Sequence, residues 1–414
     1  MIFISAIKTS AEAFGGPNMT FFSRLLPAFI IGVVVVACSS TSTPATDGGT
    51  TSDPLEGEVV KGYAALVHES YGASATAAKA MRTAIDAFAA APSQATLNAA
   101  RKAWIEARPA YIQTEAFRFY GGPIDADDGP EGALNAWPLD EAYIDYVDGN
   151  DTAGIVNDSA KYPEITKDLL LSLNEKGGEK NISTGFHAIE FLLWGQDKDI
   201  AGPGNRPFTD YLEQAGTAKN QGRRKAYLKA CAELVVEQLE GLEKAWRVED
   251  ASSYAGKLVA GDPKAALGNI LKGVGALGGV ELSRERMNTP YETKDPEEEH
   301  SCFSDTTVPI DHLNDVASIE NVYYGRVGQK TYTGIGALVA KKDAALDTKM
   351  RAVLQKSRDS VAAIPAPFDQ AILGADSAPG RVKLKAAIDA TKEIGAVTVD
   401  IATALGVKIN LEEE

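Results

Sequence analysis

The chain reads as an all-α protein built from two four-helix-bundle-like domains. Apolar residues recur at helical spacing over long stretches, as in Tyr227, Leu228, Cys231, Leu234, Val235, Leu242 and Trp246. Cap and breaker residues punctuate those stretches: Ser93, Asp262-Pro263, Gly177-Gly178. Alternating Val/Ile/Thr runs with hairpin turns do not appear, which argues against a sheet domain. At 414 residues the chain exceeds one simple core, so two domains are expected.

The N-terminus reads as a targeting segment, residues 1–37. Arg24 precedes a short apolar run from Leu25 to Ala37, too short for a comfortable membrane span, and Met19 is a candidate true start. Val35-Val36-Ala37-Cys38 resembles a bacterial lipobox in which Cys38 is lipidated. Ser39 stands where an Asp would retain the protein at the inner membrane, so the expectation is an outer-membrane lipoprotein, periplasm-facing or surface-exposed. Residues 38–55, rich in Ser, Thr, Gly and Asp, form a flexible tether. The folded part then divides into 56–250 and 251–414.

In the first of these, Val59 to Ala91 makes a helix closed by Pro92. Ser93 caps a second that runs through Trp104 and Tyr111 to Phe119, with a kink at Pro109. Gly121 to Pro138 is an acidic loop. Tyr162-Pro163 precedes a helix to about Asn174, and Ser183 or Thr184 caps the helix that begins at Gly185. After a loop from Gly195 to Pro207, Phe208 to Trp246 is helical. In the second part, Asp262-Pro263 opens a helix to Met287. The polar loop Asn288 to Pro309 follows, then helices over Asp315–Tyr324, Thr348–Ile364 and Lys383–Leu405. Ile189-Glu190 through Trp194-Gly195 can be laid on Ile319-Glu320 through Tyr324-Gly325 without a gap. Glu190 then matches Glu320, while His187 falls on Ala317. This suggests a duplicated bundle in which the first copy alone kept the histidine.

The net charge of -16 argues against nucleic acid as a partner, because nothing resembles a basic patch that could neutralise phosphates. Cys231 and Cys302 are either one disulfide of an oxidising compartment or two buried thiols.

Three constellations could carry chemistry. In Gly185-Phe186-His187-Ala188-Ile189-Glu190-Phe191-Leu192-Leu193-Trp194-Gly195, His187 and Glu190 share one face of an otherwise apolar helix. An imidazole and a carboxylate so placed are ligands for zinc or iron, a proton-transfer pair, or a buried hydrogen-bonded pair. The reversed Glu-x-x-His order of di-iron bundles and the zincin His-Glu-x-x-His pattern are both missing from this stretch. Trp104, Arg108, Tyr111 and Glu115 form a second set. Facing inward, Glu115 could be a ligand with Arg108 orienting it, although Arg and Glu at this spacing also make ordinary ion pairs. The third is the loop Glu299 to Thr306, with His300, Ser304 and Asp305, which is a ligand-dense loop or a solvated acidic one.

Gly185-x-His187-x-x-Glu190 with Phe191-Leu192-Leu193-Trp194-Gly195 is similar to the signature of the imelysin family. Trp104-x-x-Ala107-Arg108-x-x-Tyr111-x-x-x-Glu115 resembles that family's upstream helix. Glu299 to Thr306, with Asn321-Val322-Tyr323 and Gly325, resembles its iron-regulated protein A branch. The chain departs from the pattern at Val308, where a polar residue is expected, and before Ile319, where a longer Gly-containing run is expected. The resemblance implies two bundle-like domains with a cleft between them and a lipoprotein of bacterial iron uptake, with iron-transport proteins as partners. It implies iron, or zinc or another divalent metal, at His187, Glu190 and Glu115. Trp104, Arg108, Tyr111, Trp194, His300, Ser304 and Asp305 then line or support the cleft. The family also carries a metallopeptidase label. A hydrolytic metal needs about three ligands, an open water position and a base, so a binding protein is the expectation here and a peptidase the alternative.

Overall fold

The computed structural model describes residues 53–411 apart from 215 and 299. Cys38 and the targeting segment lie outside the described residues. The fold is all-α. Among the described residues the strands are limited to one two-residue antiparallel pair, Arg326–Val327 with Lys330–Thr331.

The main helices are α1 (Pro54–Ala90), α2 (Gln94–Ile112), α3 (Gly185–Trp194), α4 (Gln221–Ala245), α5 (Pro263–Ala276), α6 (Leu313–Tyr324), α7 (Ala344–Ala362) and α8 (Pro379–Leu405). Local chemistry sets their starts. Ser93 and Thr96 form a reciprocal capping box on α2, and the Asp262 carboxylate accepts from Lys264 and Ala265 at the start of α5. Packing gathers them into two groups: α1 lies on α2 and α4, with α3 on α4, whereas α8 lies on α5 and α7. The apolar core does not divide at residue 250. One buried cluster runs from Val59 on α1 to Leu405 on α8, and α1 touches α5. A smaller cluster collects Leu282, Met287, Val316, Val361, Leu384 and Ile388.

Four local departures from the sequence reading have physical causes. The second helix stops at Ile112 and does not reach Phe119; Pro109 has no N–H to donate back along the helix, and a 3-10 turn, Glu115–Phe117, follows. The segment from Phe208 to Trp246 is two elements, a 3-10 turn over Phe208–Tyr211 and α4, separated by a loop that ends on Asn220 at φ 58°. Helix α5 continues from Leu277 to Asn288 as a π-helical stretch. Finally, neither Ser183 nor Thr184 caps α3 with its side chain: Ser183 Oγ donates to the Leu170 carbonyl and Thr184 Oγ1 to Asn174 Oδ1.

Candidate functional site

Helix α3 is buried along its whole length, so its two polar side chains must find partners inside the protein. Its first residue explains the motif glycine. Gly185 sits at φ +89°, and a Cβ there would stand 2.5 Å from the Leu134 carbonyl oxygen. Only glycine lets the chain turn into α3 against that backbone.

Two residues on, His187 is held from both sides. Its Nε2 lies 3.1 Å from Arg108 Nη2 and its Nδ1 3.1 Å from Glu190 Oε2. A guanidinium can only donate, so Nε2 accepts and Nδ1 carries the proton toward Glu190. Burial, then the Arg108 and Arg286 charges, hold the imidazole well below its ordinary pKa, so it is neutral. The other Glu190 oxygen accepts from the Ser304 backbone N–H at 2.9 Å and the Ser304 hydroxyl at 2.6 Å. Those donors and Arg108 favour the carboxylate, but burial prevails and pushes Glu190 up to about 8.

Arg108 is the hub. It comes from α2, faces the Phe186 ring at 5.3 Å and gives two parallel bonds to Asp311, Nε to Oδ1 at 3.1 Å and Nη2 to Oδ2 at 2.9 Å. It also donates to Asn135 Oδ1, and Ser301 Oγ donates to Asp311 Oδ2 at 2.7 Å. Seven segments, counting the 3-10 turn that carries Glu115, therefore meet in one buried polar network. They are α2, the end of the short helix Glu131–Asn135, α3, the 301–304 turn, the π-helical Thr307–His312 and, through Asn135 and Glu115, the π stretch after α5.

The other expected residues fall at different distances from this hub. Trp104 is buried and donates from its indole to the Phe186 carbonyl at 2.9 Å, and its ring meets Trp194 at 5.5 Å. Tyr111 packs on Phe186 with its buried hydroxyl unpartnered among the described residues. His300 stands edge-on to His187, ring centres 5.6 Å apart, and its buried Nδ1 has no hydrogen-bond partner among the described residues. Glu115 is not against His187. Arg118 at 2.7 Å and Arg286 at 2.5 Å take up its carboxylate, and although burial opposes ionisation these two charges hold it at about 2. Asp305 points elsewhere, to Asp197 and Asp369. Glu320, the counterpart of Glu190 in the internal match, pairs with Arg358 on α7.

Asp311, Asn135, Trp137 and Ser301 were not singled out from the sequence. Asp311-His312 carried a usable signal: two polar residues inside the apolar run Val308 to Leu313, the same kind of anomaly that marks His187 and Glu190. They also lie three and four residues beyond Val308, where a polar residue was expected. Trp137 packs on His187 at 4.7 Å and on His300 at 5.7 Å. It also lines a pocket of about 150 Å³ shared with Glu141, Glu297, Cys302 and Phe303. A larger cavity of about 620 Å³, lined by Arg101, Tyr146, Trp194, Asp197 and Arg206, does not open on the His187–Glu190 pair. The small pocket is the nearer approach. Cys231 and Cys302 are buried and form no disulfide.

These residues do not fit a resident metal as they are arranged. The single imidazole lone pair is taken by Arg108, Glu190 is engaged on both oxygens, and a cation at Nε2 would meet the guanidinium head-on. No hydrolytic step follows from the pair, since a catalytic metal needs an open position for water.

Comparison with known proteins agrees with the motifs. Over 373 residues the chain is 26% identical to iron-regulated protein A of Synechococcus elongatus, covering 88% of this chain and 90% of that one. An iron-regulated protein A precursor from Parabacteroides distasonis has the same fold, with a TM-score of 0.64 at 21% identity over 86% of this chain and 98% of that one. An imelysin-like protein from Psychrobacter arcticum superposes with a TM-score of 0.60 at 14% identity, over 86% and 97% of the two chains. Among the described residues no helix is long and apolar enough to cross a membrane. With residues 67–397 matching the family model Imelysin (peptidase M75), the chain belongs to the imelysin family.

Proposed function

We propose that this protein is a non-catalytic, lipid-anchored binding protein of the periplasm or cell surface whose cargo is iron, as the ion or in a small chelate. It passes that cargo to iron-transport partners. The iron-related name of the relative in Synechococcus elongatus supports the class of cargo. The observation that carries the reading is that one bond stands between His187 Nε2 and an incoming ion. Arg108 makes two bonds to Asp311 and one to Asn135 besides its contact with His187, so it can release the imidazole and keep its own charge paired. The freed donor would then be His187 Nε2, with Glu190 orienting the ring through Nδ1 and the unpartnered His300 Nδ1 on the neighbouring ring. Calorimetric titration of ferrous ion, under argon, and of ferric citrate into wild type and His187→Ala tests this. Tight binding in the wild type and at least roughly tenfold weaker binding in the variant is expected. Equal affinity removes the site.

A second reading has an observation of its own. Both ring nitrogens and both carboxylate oxygens already have partners inside the protein. If the network serves only to hold the fold, His187→Ala lowers stability, and iron leaves the melting temperature of the wild type unchanged.

A further inference from the structure

Asp305 leads to a second group of acids that the His187 network does not use. One carboxylate oxygen each from Asp197, Asp305 and Asp369 lies within 4.8 Å of the other two. The three come from separate parts of the chain. Asp197 follows α3, Asp305 ends the 302–304 turn in a left-handed conformation at φ 56°, and Asp369 sits on the short helix Phe368–Ile372. Among the described residues no lysine or arginine pairs with any of them; the neighbouring Lys198 goes to Asp148. Asp369 is only 2% exposed, and its buried Oδ1 has no hydrogen-bond partner among the described residues. Both Asp305 oxygens are likewise buried, and the neighbour within their reach is another carboxyl group, Asp197. Three like charges this close, with a buried oxygen left unsatisfied, are costly unless a positive charge joins them.

We propose that Asp197, Asp305 and Asp369 form a binding site for a hard divalent cation, with calcium as the probe. The donors are all carboxylate oxygens, with no nitrogen or sulfur, a set that suits calcium, magnesium or manganese. The surrounding backbone is tied to match: Gly204 N–H donates to the Phe303 carbonyl at 3.0 Å and Gln370 Nε2 to the Ile200 carbonyl at 3.1 Å. Asp197 also lies on the wall of the 620 Å³ cavity, which gives the ion an entry route. Without a cation the acids can lower their repulsion only by keeping protons. Burial and the neighbouring carboxylates push Asp305 to about 7, and burial first, then Asp369, pushes Asp197 to about 6.

The ion would pin three segments at once. Asp305 follows Ser304, whose N–H and hydroxyl hold Glu190, so the site would steady that contact from the other side of the turn. This proposal is independent of the iron reading.

Calcium titration followed by calorimetry and thermal unfolding tests it on the full chain after chelator treatment. The expected result is one calcium per chain and a raised melting temperature. Asp369→Asn should weaken calcium binding at least roughly tenfold. If Asp369→Asn does not fold by circular dichroism, Asp197→Asn, at a half-buried position, carries the same expectation. Calcium without heat or thermal shift, or equal affinity in wild type and both Asn variants, overturns the proposal. So does a set of Asn variants that melt higher at pH 8 while calcium has no effect, because a shared proton then replaces the cation.

Discussion

Arg108 and Asp311 lie 203 residues apart in the chain and meet through two parallel hydrogen bonds, with neither side chain exposed. This pair joins α2, from the first group of helices, to the segment that leads into α6. Removing one member leaves the other charged, buried and unpaired, which typically costs about 3–5 kcal/mol. Arg108→Met should therefore destabilise the protein by that amount in denaturant titration. The double change Arg108→Met with Asp311→Leu should cost less than the two single changes added together, because it removes both charges. Strict additivity would show that the pair is not coupled.

The pKa of Glu190 sets a second expectation. Its folded value of about 8 lies above the ordinary 4.5, so the folded chain keeps a proton that the unfolded chain gives up. That contribution is fully present below pH 4.5, is lost as pH rises toward 8, and is flat above it, with a slope of about 1.4 kcal/mol per pH unit. Glu190→Gln has no such proton. Any fixed cost of placing an amide beside His187 is the same at every pH, so the slope is what matters. Measured at pH 5 to 9, the stability of the variant relative to wild type should rise with pH and level off above 8. A constant difference would show that Glu190 is ionised throughout.

The motif glycine gives a third expectation. At φ +89° an alanine is strained by about 1–3 kcal/mol before any contact is considered. Its Cβ would also meet the Leu134 carbonyl oxygen. Gly185→Ala should thus lose more than ~2 kcal/mol and shift α3, which carries both His187 and Glu190. Heteronuclear NMR of the histidine side chains should show the His187 signals displaced. Unchanged signals and stability would mean that this backbone is free to relax.

What the sequence made legible follows from the range of the interactions involved. Helix periodicity and caps are local, so α1, α5 and α8 could be read directly, and Asp262-Pro263 marked the start of α5 within one residue. The ends of helices depend on what lies beyond them, so α2 was read too long and the loop before α4 was missed. At the site, His187 and Glu190 were visible because polar residues in an apolar helix are anomalous wherever they point. The same anomaly at Asp311-His312 falls between the polar loop that ends at Pro309 and the helix expected from Asp315, where no helix frame marked it. Glu115 shows the limit from the other side. Its spacing to Arg108 suggested that one residue orients the other, but the helix ends between them and Glu115 turns to Arg118 and Arg286. No sequence pattern specifies which of several buried arginines a carboxylate will meet.

His312 provides the last expectation. It is fully buried, neither ring nitrogen has a partner among the described residues, and its ring packs edge-on to Phe368 at 5.3 Å. Burial lowers its pKa to about 3, with the nearby Asp311 charge opposing and Arg286 adding to the shift. The folded value is depressed, so the unfolded chain binds a proton below pH 6.5 that the folded chain refuses. The His312 contribution to stability is therefore retained above 6.5 and lost as pH falls toward 3, at about 1.4 kcal/mol per unit. An apolar side chain of similar size has neither the unsatisfied nitrogens nor the proton. His312→Leu should stabilise the protein at pH 7.5 by roughly 1–3 kcal/mol, the desolvation cost of an unpaired buried polar group. The gain should grow at pH 5. Denaturant midpoints at the two pH values decide it. A loss of stability at pH 7.5 would show that a ring nitrogen makes a bond the fold depends on, and a gain that does not grow at pH 5 would place the histidine's pKa near its ordinary value.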